Sequence, residues 1–462
     1  MKVTHNKERV FVSQSGANYL VLFCLISTLF LLWGFCNGMI DIMDKHFQDE
    51  LHLSLAQSAW VQFAHYFGYL FMALPAGALA TRMGYKGGII VGLLTVGLGG
   101  LWFVPATHIA TFWAFLLGVF VIASGLSFLE TVANPYVAIL GGSHYAAVRT
   151  NLAQSCNGVG WILGPIVGSV FFYSEASSGS SPAQTLYIPY VGLAVVVLAL
   201  AVVFGFAKIP DLKNSDQYGT DNLGSYSNNG ALWAHPHFLF AVVAQFLYVA
   251  AQAGIFSFFI NYMTSQVPPI PDSWNATIAH ITAQLGVLQP WLSGWLRKTP
   301  GGPFELSNKG AANLSSVAFV LFLTGRAVGA ALMARVPSHR VLALFGAANV
   351  VMCCLVLAKL GWLSVGAVFG TYLFMSIMFP TIFALGIQGL GGQTKRASAY
   401  LVMAIIGGAI IPKLMGYIAD QTDISRAFVV PLACFVFVAF YGARWSILNA
   451  PENDAEVTSV GP

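Results

Sequence analysis

Two carboxylates, Asp41 and Glu130, fall within apolar stretches that otherwise carry almost no charge. A lone charge at the centre of a bilayer-spanning helix costs about 2.5–3.5 kcal/mol even on a lenient insertion scale. Glu130 has no Lys or Arg one helical turn away, and Asp41 has only Lys45, four residues on. Acids placed this way face a bundle interior or a water-filled cavity, where they mark routes for protons or solutes. Helical spacing adds neutral partners. Asn37 and Asp41 are four apart and share one face. Glu130 and Asn134 repeat that arrangement, and Pro135 frees the carbonyl of Thr131 from its backbone bond. Asn151, Gln154 and Asn157 form an amide stripe at spacing three, and Gln245, Tyr248 and Gln252 form another.

Amides and carboxylates on several helices can donate to and accept from a ligand rich in hydroxyl groups. Trp33, Tyr66, Trp161 and Phe256 are candidates to cover the apolar face of a sugar ring. The bland alternative is that each amide bonds a neighbouring helix. For Asp41 the alternative is an interfacial acid near its helix end, followed by Asp44 and within pairing range of Lys45. His65 reads as a packing residue, Arg326 as snorkelling or paired in the second half, and Arg82 with Lys86 as a cytoplasmic gate. A carboxyl that is protonated in one conformation and ionised in another can couple proton and substrate, because each ligand shifts the equilibrium only by its differential affinity.

The elements that must hold these residues are membrane helices. The chain of 462 residues is 57% apolar and only 8% charged, against about 25% charged in soluble domains. Net charge is +4 with no long basic run, which gives no reason to expect a nucleic-acid partner. The six cysteines lack metal-ligand or CxxC spacing, so neither a metal site, another cofactor nor a disulfide framework is expected. No HExxH, nucleophile elbow or phosphate loop points to an enzyme.

Windows of about 20 apolar residues predict twelve spans, near 19–43, 57–80, 87–105, 110–140, 150–174, 187–207, 237–264, 314–334, 341–360, 363–390, 398–419 and 427–448. The fold class is therefore an all-α membrane protein of two six-helix halves, 19–207 and 237–449. A polar linker at 208–236 joins them, and short polar tails cover 1–18 and 450–462. An insert at about 265–313 separates the seventh and eighth spans, and its core, Ala283–Leu296, is expected as an interfacial helix on the outer side. A cytoplasmic amino terminus puts thirteen Lys and Arg on the inner side against six outside, so both termini are expected in the cytoplasm. Gly77 and Gly329 are offset by 252 residues, and Pro165 and Pro412 by 247, which suggests a duplicated unit.

The chain resembles the fucose–proton symporter family of the major facilitator superfamily over nearly all its spanning region. The resemblance is carried by Trp33-Gly34…Asn37…Asp41-Ile42, Phe67-Gly-Tyr…Pro75-Ala-Gly, Tyr85-Lys-Gly-Gly-Ile-Ile, Leu129-Glu-Thr-Val-Ala-Asn-Pro135 and Asn151-Leu-Ala-Gln154…Asn157. Gly325-Arg326, Phe379-Pro-Thr-Ile-Phe and Ile406-Gly-Gly-Ala-Ile-Ile-Pro carry it in the second half. It implies that Asp41 and Glu130 are cavity acids and that Asn157 lines the same cavity. It further implies a bacterial inner-membrane carrier for a small sugar and protons, expected to work as a monomer. Relatives that take glucose, galactose or N-acetylglucosamine commonly have Gln in place of the Glu, so Glu130 leans toward L-fucose. Gly38 stands where fucose carriers tend to have a second Asn, and Phe379 replaces a Tyr. The other readings are a different hexose, sodium coupling, or a drug exporter.

Overall fold

The computed structural model describes residues 10–12, 18–140, 146–173, 187–210, 232–271, 273–274, 277, 280, 284, 294–298, 303–390 and 394–449. The side chains of a few helical residues, Pro135 and Asn151 among them, lie outside that description. So do most of the linker expected at 208–236, nearly all of both tails, and all but Gln284 and 294–296 of the expected interfacial helix.

Twelve spans follow in order. The first is Leu20–Glu50. One long helix, Trp60–Ile109, holds the second and third, divided at Gly84, where φ is 71° and ψ 179°. A side chain would be strained in that backbone conformation, and glycine adopts it freely. The fourth to sixth spans are Phe112–Ile139, Ala146–Tyr173 and Ile188–Phe206. The seventh runs through Pro236–Ser257, bends at Phe258 and continues as Phe259–Gln266. Asn308–Met333 and Ser338–Leu357 are the eighth and ninth. The tenth is broken into Trp362–Met375 and Met378–Ile387. The eleventh comprises Thr394–Met403, a 3₁₀ turn at Ala404–Ile406 and Gly407–Gln421. Ile424–Ala427 leads into the twelfth, Val429–Leu448. Among the described residues, eleven of these are long and apolar enough to cross a membrane by length and composition. The other is the 60–83 part of the long helix. Large apolar side chains such as Leu98, Trp113, Val195, Phe206 and Ile447 are exposed on the bundle surface, as contact with lipid requires.

An even number of spans puts both chain ends at one end of the bundle, called here the terminal end; the opposite one is the far end. Two boundaries differ from the sequence reading. The first span continues seven residues past the expected Met43, to Glu50. The eighth begins at Asn308 instead of 314, because Ser307 caps it by accepting from the Gly310 N–H at 3.0 Å. The insert also contains a small antiparallel hairpin, β1 (Leu296–Lys298) against β2 (Phe304–Leu306). Leu296, expected as the end of a helix, is therefore in a strand.

Close glycine crossings recur in both halves. Gly34 of the first span meets the Asn157 backbone of the fifth, and Gly407 of the eleventh meets the Phe246 backbone of the seventh. Gly68 and Phe120 bring together the second and fourth spans, as Gly325 and Leu373 do for the eighth and tenth. Gly100 with Tyr190 joins the third and sixth, and Gly346 with Ala439 the ninth and twelfth. The same three pairings appear in each half, which is the packing signature of a duplicated six-helix unit.

Candidate functional site

Asp41 sits in the first span more than two turns before its end, and it is buried. Its Oδ1 accepts a hydrogen bond from Gln62 Nε2 of the second span at 2.9 Å. Its Oδ2 has no partner among the described residues. The interfacial alternative, with Lys45 as partner, is not what the fold produces: Lys45 Nζ is 2.6 Å from Asp49 Oδ1 and 3.1 Å from Gln48 Oε1. The physical reason is the longer helix, which offers Lys45 an acid one turn further on. Asp41 is thus a buried acid with one neutral donor among the described residues.

Glu130 is half-buried in the fourth span. Among the described residues no hydrogen bond or ion pair reaches its carboxylate. Side chains of the second span reach both acids. Gln62, Tyr66 and Tyr69 are spaced by four and three, so they share one face. Tyr66 is within electrostatic reach of Asp41, and Tyr69 within reach of Glu130. The His65 ring packs between those two tyrosines, with centroids 5.1 and 5.0 Å away, as a packing histidine should. Without basic partners among the described residues, one buried and the other half-buried beside hydroxyl-bearing rings, the two acids can each hold or release a proton.

The amides divide. Gln154 Nε2 donates to Asn134 Oδ1 at 3.3 Å, joining the fifth span to the fourth beside Glu130. Asn157 is buried and donates to the Phe30 carbonyl at 3.3 Å, so its Nδ2 ties the fifth span to the first. Asn37 is buried with its Oδ1 unpartnered, one turn before Asp41. Gln252 is half-buried on the seventh span. One turn earlier Tyr248 donates to the Met375 carbonyl at 3.1 Å, while the buried Gln245 has neither end of its amide partnered. Buried polar groups without partners are rare, and Asn37, Asp41 and Gln245 are three of them.

Aromatic rings close this region between the halves. Trp161 of the fifth span lies 5.6 Å from Phe256 and 4.9 Å from Phe319, and Phe256 stacks on Tyr372 at 4.6 Å. Tyr372, within electrostatic reach of Asp41, brings the tenth span to the site. Trp33 has an unpartnered indole nitrogen, and Tyr66 packs against Gly408 of the eleventh span.

The two basic residues expected at a gate behave differently. Lys86 donates to the carbonyls of Gly205 at 2.6 Å and Ala207 at 2.9 Å, closing the end of the sixth span. A cation there complements the carbonyl end of the helix dipole. Arg82 is exposed. Arg326 lies 5.2 Å from the Phe322 ring and its Nε is 3.4 Å from the Ser376 carbonyl, a pairing inside the second half. No cluster of metal-ligating residues occurs among the described residues, and the six cysteines are free.

Three residues were not singled out by the sequence reading: Gln62, Tyr69 and Asp44. Gln62 and Tyr69 carried a signal, their shared face with Tyr66 in an apolar helix. Asp44 carried one too, three residues from Asp41, but it reads as interfacial if the first span ends near residue 43.

The family profile of the Major Facilitator Superfamily matches residues 18–388. A glucose/galactose transporter of Brucella abortus biovar 1 (strain 9-941) is 32% identical over 432 residues, 93% of this chain and 95% of that protein. The L-fucose-proton symporter of Escherichia coli (strain K12) is 33% identical over 447 residues, 93% of each chain. Among solved structures, that of the MFS transporter FucP in the outward conformation superposes with a TM-score of 0.63 at 32% identity, covering 92% of this chain and 99% of that one.

Proposed function

Since the chain belongs to the Major Facilitator Superfamily, and is a transporter and not an enzyme, we propose that it imports a monosaccharide, L-fucose first among candidates, together with protons. The observation that carries this reading is the placement of Asp41 and Glu130: acids inside apolar spans with no basic partner among the described residues, within reach of Tyr66 and Tyr69 respectively on one face of the second span. Asn37, Asn134, Gln154, Asn157 and Gln252 supply the amides for sugar hydroxyls, with Trp161 and Phe256 beside the ring. Arg82 and Lys86 belong to the cytoplasmic gate, Lys86 through its anchorage of the sixth span. The names of the relatives give two sugar classes, fucose and glucose/galactose, and Glu130 favours the first.

The carrier sits in the cytoplasmic membrane of a bacterium with both termini inside, as the Lys/Arg bias of the loops supports. The far end is then the outer face, and this conformation is closed there. Each proton entering down the membrane potential supplies about 2.3 kcal/mol per 100 mV, enough for a roughly fiftyfold gradient of a neutral sugar. Uptake of labelled L-fucose, galactose, glucose and N-acetylglucosamine, with and without a proton uncoupler, tests the reading. Fucose accumulation that collapses with the uncoupler is expected. Accumulation that persists without a proton gradient, or none for any of these sugars, contradicts it.

A further inference from the structure

The first span carries a third acid deep in the bundle. Asp44 is 1% exposed, and neither of its carboxylate oxygens makes a well-formed hydrogen bond among the described residues. Asp41, Asp44 and Gln48 are spaced by three and four, so they line one helix face running from the acid site to the far end. Gln48 opens onto a cavity of about 550 Å3 lined from both halves by Lys45, Asp49, His52, Asn261 and Asp420. Asp44 therefore lies between the cavity and Asp41.

What surrounds it comes from both halves. The Ser58 hydroxyl stands beside it from the first half, and the Ser257 hydroxyl from the seventh span. The titratable and charged groups within electrostatic reach are Asp41 and Lys45 on its own helix and Tyr173 on the fifth span. Lys45 is committed to Asp49 at 2.6 Å, and Tyr173 donates to the Ile42 carbonyl at 3.4 Å. The Ser58 hydroxyl already donates to the Leu55 carbonyl at 3.1 Å and accepts from Gln48 at 3.3 Å. Among the described residues Asp44 thus has no free cation, and of the two hydroxyls beside it only that of Ser257 is not engaged elsewhere.

The far end is closed around this position by contacts between the halves. Asn261 hydrogen-bonds Gln48, Asn308 Nδ2 donates to Asp49 Oδ2 at 2.6 Å, and Ser169 pairs with Asn313 at 2.5 Å. An ionised carboxylate sealed here with no free cation and at most a serine hydroxyl to solvate it is costly; a neutral carboxyl is far less so. When the halves part at the far end, Ser257 leaves and water from the cavity reaches Asp44.

We propose that Asp44 is a proton-linked gating residue: it takes up a proton from the outer side as the far end closes and returns it to that side when the end reopens, biasing closure while Asp41 and Glu130 carry the protons that cross. This rests on the proton-symport reading above and adds to it a step at the outer gate, one helical turn from Asp41. Closure of the far end is thereby linked to the binding of one proton at this position. A ratio of closed to open that depends on one bound proton changes by up to tenfold per pH unit.

The test follows that ratio directly. Nitroxide labels at His52 and Thr422, exposed on opposite halves at the far end, report the distance across it in the full-length protein in nanodiscs. The six native cysteines are replaced for labelling. In the otherwise wild-type protein the short-distance population is expected to grow as pH falls. Asp44→Asn, near-isosteric and always neutral, is expected to lower that pH slope by one proton, up to tenfold per unit, and to populate the closed state at alkaline pH. Asp44→Leu, suited to an apolar site, is expected to do the same and covers a folding defect of the amide variant. A slope unchanged in either variant, or a wild-type ratio indifferent to pH, overturns the proposal. Uncoupler-insensitive sugar uptake defeats the parent reading instead, through a measurement that does not involve the labels.

Discussion

Gln62 provides the one hydrogen bond that Asp41 receives among the described residues, so the state of this acid depends on a neutral amide instead of a cation. A cation would hold the carboxylate ionised through the whole cycle; an amide leaves it able to gain and lose a proton. Leaving a buried acceptor without its donor costs about 1–3 kcal/mol. Gln62→Ala is therefore expected to lower the initial rate of proton-driven uptake by about tenfold, or roughly 1.4 kcal/mol, at equal amounts of folded protein. Wild-type rates would remove that bond from the mechanism. Asp41 and Glu130 were legible in the sequence because a charge inside an apolar run is conspicuous. Gln62 was not, because an amide in a membrane helix is as often a helix–helix tie. Asn157 shows the same ambiguity, since its Nδ2 is engaged with the Phe30 carbonyl.

Gly38 shows how the elements constrain the site. A Cβ there would fall 2.9 Å from the Trp161 carbonyl oxygen and 3.0 Å from Pro165 Cδ. The first and fifth spans cross so closely that the second Asn usual in fucose carriers would not fit without moving a helix. Gly164 sits under the same constraint from the other side, facing the Phe35 carbonyl. Gly38→Ala is expected to lower the thermal stability of the purified protein by the equivalent of about 1–3 kcal/mol, the usual cost of overpacking. An unchanged melting temperature would mean that the crossing is looser than drawn. Hydrophobic windows located the twelve spans, because every span must cross about 30 Å of hydrocarbon. They misjudged where the first span ends, because His46, Gln48, Asp49 and Glu50 are polar. Gln48 and Asp49 are received by the interface between the halves, where they meet Asn261 and Asn308, and His46 packs against Phe172 and Tyr173 of the fifth span. The hairpin at Leu296–Leu306 was equally invisible, its strands being only three residues long.

Across the whole molecule, the far end is fastened by a carboxylate of one half gripping the backbone of the other. Asp420 accepts from the Leu55 N–H at 2.8 Å and the Ala56 N–H at 2.9 Å, at the start of the short helix Leu55–Ser58. Lys413 adds its ammonium 3.8 Å above the Trp60 ring. Hydrogen bonds to a charged group are worth about 1.5–3 kcal/mol, less where water screens them. Asp420→Ala is expected to shift the population at the far end toward open by about tenfold at fixed pH, read by the same nitroxide pair, while leaving the pH slope intact. That separates a mechanical fastening from a proton-linked one. A population unmoved by the substitution would show that the fastening lies elsewhere. The central claim, that Asp41 and Glu130 carry protons inward with sugar, has its most direct test in the external pH of a lightly buffered suspension of de-energised cells. Adding L-fucose to cells with the wild-type carrier should make the medium transiently alkaline. With Glu130→Gln the pH should stay flat while exchange of labelled sugar continues. Alkalinisation of equal size in that variant, or sugar entry by the wild type with no change in pH, would contradict the account.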